Sequence, residues 1–82
     1  MRYECPVEEA LKLENAFTYH KPFGDQQDRY VALRDEAKAV AYRIVELVPP
    51  SRERSLALTK LEEAIFWANA GIARNEKEEV TR

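Results

Sequence analysis

The chain has 82 residues, of which 34% are charged and 45% apolar, with a formal net charge of −2. That length makes one domain near the lower limit for a self-sufficient core, and the composition excludes an intrinsically disordered chain. The acidic balance argues against a DNA-backbone binder, which needs a basic stripe, though a small anionic ligand needs only a few well-placed cations.

Two glycines in the whole chain leave little room for tight β-turns, so an all-α fold is expected. The single cysteine, Cys5, has no intramolecular disulfide partner, and nothing points to secretion. No apolar run is long enough to span a bilayer, and MRYECPVEEA lacks a signal-peptide core, which makes the cytoplasm the default address.

Residues 6–14 (PVEEALKLE) read as a short helix: Pro6 suits a first helical position, and Glu8 and Glu9 complement the positive end of the helix dipole. Residues 15–24 (NAFTYHKPFG) read as a loop, with Pro22 and Gly24 as breakers. From residue 16 to residue 24 the chain has no acid, but carries Phe17, Tyr19, His20, Lys21 and Phe23.

Residues 25–48 read as a long helix, with Asp25 as N-cap and Asp28 adding negative charge to the first turn. Tyr30, Leu33, Ala37, Val40, Ile44 and Leu47 make one apolar seam along a rod roughly 36 Å long. Pro49 and Pro50 end it, and Ser51 is placed to cap a helix over 51–76 whose seam is Leu58, Leu61, Ile65, Ala68 and Ile72. So short a connection forces the two rods antiparallel. The tail at 77–82 has no apolar period and is expected to fray.

The second rod also has apolar character on its far side. With about 100° per residue, Trp67 falls almost opposite the seam, together with Leu56, Ala70 and Gly71. A tryptophan among small residues there implies a covering element. Association with further copies is the expected cover; the alternative is that helix 1 folds back over Trp67 and closes a monomer.

Catalytic and metal chemistry are poorly supplied. His20 is the one histidine and has no evident nucleophile partner, and no glycine-rich phosphate loop is present. One histidine and one cysteine are too few for a metal site unless carboxylates complete it. Neither an enzyme nor a cofactor is expected. Recognition chemistry is richer: Phe17 and Tyr19 offer flat faces for a base, while His20, Lys21, Arg34 and Lys38 are cations for phosphates. Against this, Phe17 and Phe23 read first as staples holding the loop onto the hairpin, and only in Tyr19, His20 and Lys21 do ligand and structural readings balance. Arg34 and Lys38 also read as solvated charge beside Glu36, and Arg52 and Arg54 as partners of nearby carboxylates.

The strings FTYHKP, QDRYVALRDEAKAVA and PPSRERSLALTKLEEAIFWANAGIARNE carry more than periodicity, because they fix non-periodic positions such as Thr59 and Asn69. They resemble the helical-hairpin domain of the phage anti-CBASS cyclic-oligonucleotide sponges, shared with the Thoeris anti-defence sponge, over about residues 15–76. The resemblance implies a phage protein in the cytoplasm of the infected host that sequesters cyclic di- and possibly trinucleotide signals without cleaving them. It also implies a homohexamer with pockets between protomers.

Residue by residue, the resemblance assigns base stacking to Tyr19 and phosphate contact to Arg34, with Lys38 one turn on as the alternative. It assigns a trinucleotide pocket to His20 and Arg74. The Thoeris sponge has a further region without counterpart in these residues, so its sugar-nucleotide ligand is not implied. A competing expectation is a helical adaptor that inhibits a host protein through the Trp67 face.

Overall fold

The computed structural model describes residues 3–78, which form three α-helices: α1, Val7–Phe17; α2, Gln26–Leu47; and α3, Arg52–Asn75. No strand occurs among the described residues. Four residues of the expected frayed tail, 79–82, lie outside that range.

The α2–α3 hairpin forms because each rod buries part of one stripe against the other. Along α3 the half-buried positions include Leu58, Leu61, Ile65, Ala68 and Ile72, the expected seam. Along α2 the apolar ones are Tyr30, Leu33, Ala37, Ala41 and Ile44, continued by Val48 just past its end. Val40 and Leu47, expected in the seam, are exposed instead. Both are followed by another apolar residue, so a rotation of one position leaves the stripe apolar and the approach of α3 selects the register.

The turn between the rods is held by side chains. Ser51 Oγ accepts from the Arg54 amide at 3.1 Å, the N-cap bond expected of it. Arg54 was expected to pair with carboxylates. Its guanidinium instead donates to the carbonyls of Val45 (3.4 Å) and Val48 (3.2 Å). These are orphan acceptors at the negative end of α2, where a cation is favoured.

Two other local expectations change. α1 continues to Phe17, so Asn15, Ala16 and Phe17 belong to its last turn. Its final carbonyls are satisfied from a distance: the His20 ring lies 2.7 Å from the Asn15 carbonyl, and Arg74 donates to that of Ala16 at 3.4 Å. Asp25 flanks α2 but makes no side-chain cap bond; its carboxylate pairs with Arg29 at 3.1 Å.

The molecule is a plate. Its principal extents are 49 × 45 × 13 Å, so α1 lies beside the hairpin in one layer and covers neither face of it. Trp67 is 64% exposed, which overturns the expectation that α1 might fold back over it. Among the described residues no apolar side chain is fully buried, and Gln26 alone is buried. The radius of gyration is 17.7 Å, against about 12 Å for a compact chain of this length. The accessible surface is 7465 Å², against about 5,000 Å² for a compact monomer of this mass. α1, α2 and α3 make a scaffold with little interior of its own.

Candidate functional site

Gln26 and its neighbours fix the loop that precedes α2. Gly24 adopts φ +56°, in the left-handed region that favours glycine, inside a turn closed by the Gln26 amide donating to the Phe23 carbonyl at 3.1 Å. The Gln26 side chain accepts from the Phe23 amide at 3.1 Å and donates to Glu76 at 3.0 Å. Arg29 completes the arrangement by donating to the same carboxylate, at 2.8 Å for its Nη1.

The loop end, the first turn of α2 and the end of α3 are thereby locked together. Hydrogen bonds from Arg29 and then Gln26 hold the Glu76 carboxyl down at about 2, and Glu76 in turn raises the Arg29 guanidinium above its ordinary value. A cavity of 600 Å³ borders this clamp. Its arginine is committed to Asp25 and Glu76, so it offers little to an anion.

Two other grooves meet at Arg34. The first, of 490 Å³, is lined by Tyr19, Lys21, Pro22, Tyr30 and Arg34, among others. The second, of 520 Å³, runs along the hairpin seam and is lined by Arg34, Lys38, Leu58, Ile65, Phe66 and Asn69, among others. Both fall within the size range of small-molecule sites. Tyr19 is 81% exposed, so a broad face of its ring is open to a planar group.

Among the described residues neither Arg34 nor Lys38 enters an ion pair; the salt-bridging cations are Arg29, Arg43 and Lys60. The reading in which Arg34 and Lys38 pair with a neighbour such as Glu36 therefore finds no contact in the structure. Asn69 brings a further oddity, because its Oδ1 is shielded from solvent and accepts no hydrogen bond from the described residues. Unsatisfied buried acceptors are uncommon in folded proteins.

His20 and Arg74 are also drawn together, but around the last turn of α1. Besides the contacts already given, Asn15 Nδ2 donates to the Arg74 carbonyl at 3.2 Å. Both side chains serve α1 in this geometry. Arg74 additionally borders a shallow groove with Glu63, Phe66, Trp67 and Ala70.

Sequence reasoning missed the Gln26–Arg29–Glu76 clamp. Gln26 and Glu76 are 50 positions apart, and neither type signals such a partner. Tyr30 and Asn69 were named only as a seam residue and a fixed position, although both line the grooves. The available hints were that Tyr30 stands one turn before Arg34 on α2 and that Asn69 lies near Arg34 across an antiparallel hairpin.

A helical hairpin with an exposed aromatic ring, and with cations that enter no ion pair among the described residues, over two ligand-sized grooves has the make-up of a ligand-binding scaffold. Residues 9–73 match the Acb2/Tad1 hairpin domain, and the chain belongs to that family. Membership implies an anti-defence sponge for cyclic-nucleotide signals, a binding protein. No curated protein and no solved structure matches the chain. Among the described residues no helix is long and apolar enough to cross a membrane.

Proposed function

We propose that this protein is a phage anti-defence sponge that binds cyclic dinucleotides, and cyclic trinucleotides at a second site. It holds them intact in the host cytoplasm and so prevents activation of a CBASS-type effector. The observation that carries the reading is the groove shared by Tyr19 and Arg34, which sets a base-sized face beside a cation that enters no ion pair among the described residues. A cyclic dinucleotide has two bases and two phosphates. A twofold pairing of protomers presents two such grooves to one ligand.

Stacking contributes about 1–3 kcal/mol per base, and charge-assisted phosphate contacts add to it. Nanomolar affinity, about −12 kcal/mol, is within reach of two such half-sites. In this reading Lys38 supports Arg34, while His20 and Arg74 serve the trinucleotide site. A homohexamer supplies the pairs. Capture requires only binding and slow release, with no bond made or broken.

The test is a thermal-shift screen against cyclic di- and trinucleotides, followed by recovery of the ligand from denatured protein. The expected outcome is a raised Tm and a ligand of unchanged mass. No shift with any of them, or recovery of linear products, removes the sponge reading. A second reading, an adaptor that blocks a host protein, rests on the exposure of Phe66 and Trp67 side by side on α3. It is favoured if no cyclic nucleotide shifts the Tm and a host protein co-purifies only with an intact Trp67.

A further inference from the structure

The plate leaves α1 with an apolar stripe and no seat for it. Val7, Ala10, Leu11 and Phe17 fall within about 120° of arc on one side of the helix, an arc that Glu14 shares as its one charged member. Val7 and Leu11 are exposed, and Phe17 is 86% exposed. Folding back is opposed by the ties at the other end of α1. Asn15 and Ala16 are bonded to Arg74, at 3.2 and 3.4 Å, and these bonds hold the last turn beside α3 in the plane of the layer.

On α3 a groove of 350 Å³ runs between Phe66, Trp67 and Ala70, bordered by Glu63 and Arg74. We infer that α1 of one copy seats its Val7–Leu11–Phe17 stripe in the Phe66–Trp67–Ala70 groove of a second copy.

Area favours a second copy as the occupant. The chain exposes roughly 2,400 Å² more than a compact monomer of its mass, well above the roughly 800 Å² per partner of a standard interface. Charge agrees in sign: α1 carries Glu8, Glu9 and Glu14 against Lys12, whereas the Trp67 side of α3 carries Lys60 and Arg74 against Glu63. The exchange is reciprocal if the pairing is twofold, each copy giving α1 and receiving α1. This inference rests on the self-association that the proposed function contains, and adds which surfaces meet.

The chain has one tryptophan and one cysteine, Cys5, which is exposed just ahead of α1. A Trp67→Phe chain labelled at Cys5 with a nitroxide, a short-range quencher, is mixed with unlabelled native chain. All tryptophan emission then comes from the native copies, and all quencher sits on the others. At equal amounts the emission is expected to fall by roughly half, since about half of the Trp67 grooves then hold a labelled α1. Leu11→Asp in the labelled chain is expected to restore it.

Unchanged emission from a mixture that native mass spectrometry shows to contain assemblies of both chains overturns the inference, as does a one-chain mass for the native protein. Should Trp67→Phe itself fail to assemble, mass alone decides. Leu11→Asp lowers it, and Lys12→Asp, on the opposite side of α1, does not; equal effects overturn the proposal. Cyclic nucleotides that shift the Tm without quenching in the mixture remove this inference alone. Quenching without any Tm shift removes the sponge reading alone.

Discussion

The Arg29 guanidinium grips the Glu76 carboxylate across the open end of the hairpin, bonding the first turn of α2 to the residue that follows α3. The contact holds the Glu76 carboxyl at about 2, against 4.5 for an ordinary glutamate. A carboxylate lowered on folding stabilises the folded state above its unfolded value, and that contribution is lost as pH falls through the folded one. The Tm of the native protein should therefore drop between about pH 4.5 and 2 more steeply than that of Glu76→Gln. At neutral pH the variant should melt lower. Parallel Tm–pH curves would show that the clamp contributes nothing to folding.

Tyr19→Ala should weaken cyclic-dinucleotide binding by about 1–3 kcal/mol for each base stacked, with the unliganded Tm unchanged because the ring is exposed. Tyr19→Phe should retain most of the affinity. Titration calorimetry measures both, and an unaltered Kd for Tyr19→Ala would take the ring out of the site.

Arg34→Ala should cost about 1.5–3 kcal/mol of binding, the range for hydrogen bonds to charged groups, and should flatten the dependence of Kd on salt. Lys38→Ala should cost less. If Lys38→Ala proves the more damaging, the phosphate contact lies one turn further along α2. Neither change should lower the Tm, since among the described residues neither cation is ion-paired.

Asn69→Leu should stabilise the unliganded protein by about 1–3 kcal/mol, because it removes a shielded acceptor with no donor and leaves a side chain of similar size. Urea unfolding measures the change. A lower stability would mean that Oδ1 finds a donor when protomers associate.

Trp67→Glu should reduce the solution mass, because an added charge cannot be desolvated cheaply at an apolar contact. Size-exclusion chromatography with light scattering reads this directly. An unchanged mass would leave the Phe66–Trp67 face free for another partner.

The hairpin was legible because a seam every three or four residues, two prolines and a capping serine are local signals. The register of α2 was harder to read: Val40–Ala41 and Leu47–Val48 are adjacent apolar pairs, and only the approach of α3 chooses between their members. The end of α1 was read short because the groups that satisfy its last carbonyls, His20 and Arg74, come from outside the helix.

Tyr19, Arg34 and Lys38 stood out as an aromatic and basic set in a chain of opposite net charge. That Tyr19 and Arg34 share a groove, with Lys38 in the adjoining one, depends on how Gln26 pins the loop, and its bonds reach Phe23 and Glu76 at once. No short-range pattern announces such a residue.

A plate 13 Å thick has almost no inside, so anything it hides must be hidden between plates. In the proposed assembly, folding, association and capture share one equilibrium: raising the protein concentration should make the chain harder to melt and its cargo harder to lose, whereas dilution should undo all three together.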